Sequence, residues 1–388
     1  MNEYCEICKS PAHGKHFGAV SCRACAAFFR RAILAKRVRK SCKFSNTCSD
    51  FRGISTPPCK SCRIAKCVKA GMKPDNLQEK KHSQLLQTVE IALGLPTMVL
   101  ISKTASNQRT FVDVNHLVKH GLEILTRGPP APLEPCLSQL ERMSIGGSMF
   151  TSNAACEKLT FVDKSNAIQF WEDDFLTAAK WLTHFDEFAL LPKGMQMQLL
   201  QVTWHIWARA HKMIATSKLC QGNWDEMRVF QLCEKYYVHM EDTKADISWM
   251  ANCSYEQMRW LMFGDDWDEQ LRRGMNMVFK LNLTDVEANY MIAQLCFEYA
   301  VSRFQGKEIA EICEKFQSVL ANDLHRYYTS DVRRDKNYAG RLCQILKVNQ
   351  EVQRAIRHIR DKTHVARTFD ILIVDFSHPE MFIDTGVK

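Results

Sequence analysis

The fold class predicted by this sequence has two parts: a small, α-rich, cysteine-stapled module at the N-terminal end and an all-α domain behind it. Three observations predict it. Nine of the 17 cysteines fall within the first 67 residues, eight of them in two quartets. The excess positive charge is concentrated in the same stretch. From Val112 onward, apolar residues recur at helical spacing at nearly every point.

The quartets are Cys5-x2-Cys8-x13-Cys22-x2-Cys25 and Cys42-x5-Cys48-x10-Cys59-x2-Cys62. A CxxC turn presents two thiolates to one tetrahedral Zn²⁺, and two cysteine pairs close a structural site. A catalytic zinc keeps one position open, and these quartets leave none. The reading is a double zinc finger with four cysteines at each site and two structural Zn²⁺ ions. Cys67, five residues after Cys62, reads as packed in the second finger's helix rather than as a ninth ligand. His13 and His16 read as loop residues beside a full quartet. The remaining single cysteines, such as Cys136, Cys220, Cys296 and Cys343, read as small buried hydrophobes.

Residues 1–81 hold 18 Lys+Arg against 5 Asp+Glu, a charge of +13, while the remainder carries −4. That asymmetry predicts a polyanion partner for the head and a different task for the rest. The N-terminus has no apolar signal-peptide region, and no run approaches 18 apolar residues, so no membrane partner is expected. A reducing cytoplasmic or nuclear compartment is expected, with the thiols as metal ligands rather than disulfides.

Along the chain, residues 1–77 form the zinc module, ending at Gly71-Met72-Lys73-Pro74, a helix stop and turn. Residues 78–111 read as a polar hinge, and 112–388 as the helical domain. Leu117, Leu122 and Leu125 suggest an opening helix before the Gly128-Pro129-Pro130 break, and 129–165 is mixed and loop-rich. Phe175, Ala178, Ala179, Leu182 and Phe185 fall at helical spacing, as do Leu199, Leu200, Thr203, Ile206, Trp207 and Ala210. Further helices are predicted over roughly 225–241, 255–263, 266–280, 284–304, 306–327 and 335–362. The β-branched run Phe369–Phe376 reads as a strand or extended segment.

Between the quartets, Cys22-Arg23-Ala24-Cys25-Ala26-Ala27-Phe28-Phe29-Arg30-Arg31-Ala32-Ile33-Leu34 reads as a helix. One side gathers Phe28, Phe29, Ala32 and Ile33; the other gathers Arg23, Ala26, Ala27 and Arg30. A helix pinned by two zinc thiolates, with small residues and arginines outward, suits the major groove of DNA.

Cys22 to Arg31, followed by Cys59-Lys60-Ser61-Cys62-Arg63-Ile64-Ala65-Lys66-Cys67-x3-Gly71-Met72, resembles the nuclear hormone receptor DNA-binding domain. It is most similar to the large nematode-expanded group related to hepatocyte nuclear factor 4. The resemblance implies that Cys22–Leu34 is the recognition helix, with Arg23, Ala24, Ala26 and Ala27 at the base-reading positions. It implies phosphate contacts from Arg30, Arg31 and Arg63, and dimer contacts on double-stranded DNA from the loop Lys43–Thr47. The family's usual base-contacting lysine is here Ala26, so its usual half-site does not carry over. Arg23 has the geometry for a bidentate contact to guanine. The ten residues between Cys48 and Cys59 exceed the family's common nine, in a loop that tolerates length.

The segment Ala178-Ala179-Lys180-Trp181-Leu182-x2-Phe185-x2-Phe188, leading into Met195-x3-Leu199-Leu200-x3-Trp204, resembles the same family's ligand-binding-domain signature. Asn337–Lys362 resembles its late dimerisation helix. The resemblance implies an antiparallel three-layer helical sandwich around an apolar pocket for a small molecule, a mobile last helix, homo- or heterodimerisation, and coregulator partners. Lys180 matches the family's coactivator-clamp lysine, with Asp384 as the acid, in a helix opening at Ser377-His378-Pro379-Glu380; Asp375 is a competing match. The stripe Leu342, Ile345, Leu346, Val352, Ile356 and Ile359 can pack a partner helix, its own core, or both.

The functional expectation is a nuclear, sequence-specific DNA-binding transcription factor acting on RNA polymerase II transcription. Ligand-independent action, constitutive or repressing, is an alternative, and a zinc-stapled protein-interaction adaptor is a second. No phosphate loop, dinucleotide fingerprint or His-Glu-x-x-His occurs, so no enzyme is expected.

Overall fold

The computed structural model describes residues 4–34, 42, 48, 59–73, 98–103, 109–130, 137–148, 156–220, 228–264, 267–330 and 338–387. The chain divides into two compact units, Met1–Leu85 and Leu86–Lys388.

The first unit is built on a hairpin and two helices. β1 (Lys15–His16) and β2 (Ala19–Val20) pair antiparallel, joined by Phe17 and Gly18. Both turn residues have positive φ, 53° and 98°, the backbone of a type I′ turn that matches strand twist. Helix α1 (Arg23–Leu34) follows directly, and α2 (Lys60–Lys69) is capped by the Cys59 sulfur, which accepts from the Cys62 amide at 3.3 Å. Gly71, at φ 87°, ends α2, as the sequence anticipated, and the Met72 amide reaches back to the Cys67 carbonyl. Phe29, Cys67 and Met72 form a small core, with Phe17 against Phe29 at 5.5 Å. Cys67 is therefore a packed thiol, and burial pushes its pKa up to about 11.

The second unit is mainly helical. Its middle is α7 (Lys193–Cys220) and α10 (Asp285–Arg303). Ten consecutive residues of α7, Leu199 to Ala208, are buried, which requires neighbours on every side of the helix. On one flank of α7 lie α3 (Asn115–Arg127) and α5 (Lys164–Leu182); α4 (Gln139–Ser148) and α11 (Glu308–Thr329) pack on α10. The short α6 is Asp186–Ala189. Helices α8 (Tyr255–Phe263) and α9 (Trp267–Leu281) pack on α12 (Tyr338–Thr368), and α12 runs six residues beyond its predicted end. No described helix is long and apolar enough to cross a membrane.

Two predictions are corrected. Of the helix predicted over 225–241, the described residues 228–241 are not helical: β7 (Val229–Gln231) and β8 (Tyr236–His239) form an antiparallel pair, and β5 (Glu157–Leu159) joins β8 in parallel. The β-branched and aromatic content of Val229-Phe230 and Tyr236-Tyr237-Val238 suits a pleated surface better than a helix. β6 (Phe161–Val162) pairs with β9 (Lys244–Ala245) nearby. Secondly, part of the expected hinge is strand: β3 (Leu100–Lys103) and β4 (Thr110–Asp113) pair antiparallel, burying Val99, Ile101 and Val112. The C-terminal β10 (Val374–Phe376) adds to β4 in parallel, so the predicted extended run is a sheet edge. The stripe on α12, which the sequence left open between core and partner, faces inward except at Leu342 and Leu346, which are half-buried. Ile345, Val352, Ile356 and Ile359 are buried in their own domain.

Candidate metal centres and nucleic-acid interface

The eight predicted ligand cysteines converge into two groups, Cys5, Cys8, Cys22, Cys25 and Cys42, Cys48, Cys59, Cys62, with the sulfurs of each group all within 4.8 Å of one another. Tetrahedral coordination with Zn–S near 2.3 Å sets the sulfurs about 3.8 Å apart. Cys8 and Cys22 sulfurs are 3.6 Å apart; in the second group the distances are 3.4 Å for Cys42–Cys48, 3.8 Å for Cys48–Cys59 and 3.7 Å for Cys59–Cys42. The donor set and spacing fit zinc. Burial pushes the Cys25 thiol far up and raises Cys22 and Cys62; burial would also raise Cys8, but hydrogen bonds with Ser10 outweigh it and bring Cys8 down to about 6, so holding a whole quartet as thiolates needs a cation to balance the charge. A divalent ion held by either quartet would supply that balance and fix the backbone turns.

On α1 the quartet decides which side is inward. Cys22, Cys25, Ala26 and Phe29 recur at i, i+3, i+4 and i+7, and all are buried. Arg23, Ala24 and Ala27 lie on the exposed face. Ala26, placed outward by the sequence reading, belongs to the inner stripe because it stands one turn after the ligand Cys22. The positions of Arg30 and Arg31 lie on α1, but their side chains, like the loop Lys43–Thr47, are outside the described residues.

Arg63 has a role that spacing did not suggest. Its Nη2 donates to Cys25 Sγ at 3.3 Å, and its guanidinium lies 4.4 Å from the centre of the Phe28 ring. It joins α2 to a ligand of the first quartet.

In the helical unit, Lys180 lies in the last turn of α5 and lines a cleft of about 770 Å³ between α5, α7 and the β7–β8 hairpin, together with Asp173, His211, Lys212, Cys233 and Glu234. This cleft is charged, unlike the apolar enclosure that the resemblance implies. At the C-terminal segment, aromatic rings pack together: Phe382 stacks on Phe376 at 3.8 Å and meets Trp171 and Trp204 edge-on.

The predicted turn after Ser377 exists as a 3₁₀ helix, Pro379–Phe382. Asp384, however, does not present an acid at the surface. It is fully buried, with Oδ1 accepting from Arg360 Nε at 2.6 Å and Oδ2 from Arg360 Nη2 at 2.5 Å and Tyr299 Oη at 2.6 Å. In this conformation its lone pairs are committed internally, and a partner helix cannot reach them. Asp375, the competing match, lies on β10 and accepts from Arg109 Nε at 2.9 Å.

A cysteine-stapled, basic module with an exposed helix face, followed by a helical domain, defines a zinc-finger DNA-binding protein with an effector domain. Comparison with known proteins agrees. Residues 3–74 match the double treble clef zinc finger of C4 type, and residues 152–369 match the ligand-binding domain of nuclear hormone receptor. The Caenorhabditis elegans protein "nuclear hormone receptor family member nhr-106" is 47% identical over 386 residues, covering 100% of both chains. The relatives nhr-130 and nhr-115 of the same organism are 37% and 38% identical, covering 98% of this chain and 92% and 98% of their own. The chain belongs to the nuclear hormone receptor family: it is a transcription factor with a DNA-binding and a ligand-binding domain rather than an enzyme, and its two four-cysteine clusters can bind zinc ions.

Proposed function

We propose that this receptor acts in the nucleus and reads a specific DNA sequence with the exposed face of α1. Arg23 is the base-reading side chain, Ala24 and Ala27 let the helix approach closely, and Arg30 and Arg31 hold phosphates. The observation that carries this reading is that Arg23, Ala24 and Ala27 share the one face of α1 that the zinc ligands leave exposed. The +13 charge of the first 81 residues supports a polyanion partner. Arg63 acts in this reading through the first quartet, so a direct phosphate contact is secondary to it.

The experiment is selection of the zinc-loaded full chain on a randomised duplex library at several salt concentrations. Enrichment of one half-site, lost on chelation, is the expected result; one or two copies of it report monomer or dimer. Arg23→Ala is expected to relax selectivity at one position, where a bidentate contact discriminates by roughly 1–3 kcal/mol. Equal weakening on all sequences would make Arg23 a phosphate contact, and salt-sensitive binding with no enrichment would defeat the reading.

Homo- or heterodimerisation through the 337–362 region and recruitment of coregulators near Lys180 extend this proposal. The inward stripe of α12 leaves any dimer seam to its outer residues. Control by an apolar small molecule is the first regulatory reading. Ligand-independent action is favoured by the aromatic packing at the C-terminal segment. Mass spectrometry of small molecules released from the purified chain separates the two.

A further inference from the structure

The last fourteen described residues, 374–387, are tied down by side chains from α7, α10 and α12. Trp204 Nε1 donates to the Met381 carbonyl at 2.9 Å. Arg367 Nη1 donates to the carbonyls of Val374 and Val387 at 3.1 and 3.2 Å. Met381 and Phe382 are buried in the aromatic cluster. At the far end the backbone turns through Asp384 at φ 67°, a left-handed conformation that aspartate tolerates better than most residues and that directs its side chain inward.

The electrostatics around Asp384 are lopsided. Besides Arg360 from α12 and Tyr299 from α10, it faces His205 and Arg209 from α7, and Arg303 contributes to the same field. Burial would raise the Asp384 carboxyl, but Arg360 and Tyr299 outweigh it and hold it below the usual carboxylate range. Burial and the charge of Arg209 drive His205 down to about 3, so its ring is neutral. One carboxylate thus sits at the focus of several cationic side chains. Lifting the tail would return Asp384 to water but leave Arg209 and Tyr299 without their acid. The fork geometry to Arg360 also fixes direction, since two parallel N–H···O bonds hold only one placement of the tail.

We infer that Asp384 is a latch: its bidentate pair with Arg360, braced by Tyr299, holds residues 374–387 against α7, α10 and α12. Loosening the closed tail then requires breaking this pair. The consequence for transcription rests on the reading of this domain as the effector domain; the latch itself does not.

The test is hydrogen–deuterium exchange on the full chain as purified with zinc. In Asp384→Asn and in Arg360→Met, amides of 374–387 are expected to exchange about tenfold faster or more, while α7 and α10 keep their protection. The double variant is expected to add little to either single one, because the two residues act as one coupled pair. Tyr299→Phe, which keeps the ion pair, gives a smaller rise and remains informative if the charged variants fold poorly. Unchanged tail exchange in the variants, additive effects in the double variant, or domain-wide loosening in Tyr299→Phe as well would overturn the latch. A reporter assay run in parallel keeps the two readings apart: altered exchange with unaltered reporter output would sink the effector reading and leave the latch standing.

Discussion

Arg63 and Cys25 bind the two halves of the zinc module together: a guanidinium one residue past the last ligand of the second quartet donates to the last ligand sulfur of the first, 3.3 Å away. Hydrogen bonds to a metal-bound thiolate orient it and stabilise its charge. The ring of Phe28 beneath the same guanidinium excludes water from one side. Arg63→Ala is therefore expected to weaken zinc retention roughly 10–100-fold, the scale of losses seen when a group holding a metal ligand is removed. Arg63→Lys should recover little, because a point charge on a flexible stem reproduces neither the fixed Nη2 donor nor the stacking on Phe28. Competition with a colorimetric chelator measures this; equal retention in wild type and Arg63→Ala would show that the contact only decorates the site.

Chelation should separate the two units. Structural zinc contributes on the order of 10–16 kcal/mol to small finger modules, and the first unit's core holds few large residues beyond Phe29 and Met72. The helical unit has a core of its own and no cysteine quartet among its described residues. A strong chelator is expected to abolish selective DNA binding and release two zinc ions per chain, while the thermal transition of the helical domain stays within about 1–2 °C. Loss of both transitions together would contradict this.

The division between what was legible and what was not follows from the range of each interaction. The quartets, the helix stop at Gly71 and most helix bounds are local patterns, and they stand in the structure where spacing put them. The face of α1 was legible at Arg23, Ala27 and Phe29 but not at Ala26, where the ligand at Cys22 outranks the arginine pattern. The β7–β8 hairpin had a signal in Tyr236-Tyr237-Val238, masked by the surrounding helical periodicity. The pairing of β10 with β4 joins segments from opposite ends of the helical unit, and the burial of Asp384 depends on Tyr299 and Arg360 from two different helices. No periodicity encodes such meetings. An acid in a short apolar segment reads equally well as an exposed clamp or a buried latch until its neighbours are known.

Glu287 gives the helical domain an acid-sensitive anchor. Buried at the start of α10, it accepts from Arg341 Nε and Nη2, both at 2.9 Å, from Tyr328 Oη at 2.5 Å, and from the Thr284 amide at 2.9 Å. Burial alone would raise it, but Arg341 and then Tyr328 prevail and its pKa falls to about 2. A depressed carboxylate contributes stability that is fully present above its unfolded pKa of about 4.3 and is lost as pH falls towards the folded value. Denaturant midpoints should therefore decline between about pH 4.5 and pH 2, and Glu287→Gln should flatten that part of the profile. At pH 7 the same variant should lose roughly 3 kcal/mol, as expected when one member of a buried pair is removed. A wild-type profile that the variant reproduces would place the acid sensitivity elsewhere.

The tightest packing at any glycine among the described residues sets two opposing effects against each other. Gly147 of α4 lies so close to α10 that a Cβ there would meet Asn289 Oδ1 at 2.5 Å and Nδ2 at 2.8 Å. Asn289 cannot retreat, because its Oδ1 accepts from Trp181 Nε1 at 2.9 Å while its Nδ2 donates to the Asp285 carbonyl at 2.8 Å. Alanine in a helix gains about 1 kcal/mol over glycine. Overpacking a filled interior costs about 1–3 kcal/mol, and a lost buried hydrogen bond adds about 1 kcal/mol. Gly147→Ala should therefore be destabilising by roughly 1–3 kcal/mol net, lowering Tm by several degrees. Gly194, in the first turn of α7, has nothing within 4 Å of a built Cβ. Gly194→Ala should thus be neutral or stabilising by up to about 1 kcal/mol. Thermal melts of the two variants side by side test the packing argument, because helix propensity alone predicts the same sign for both. If Gly147→Ala stabilised the chain as Gly194→Ala does, α4 would not be held against α10 as closely as the structure shows.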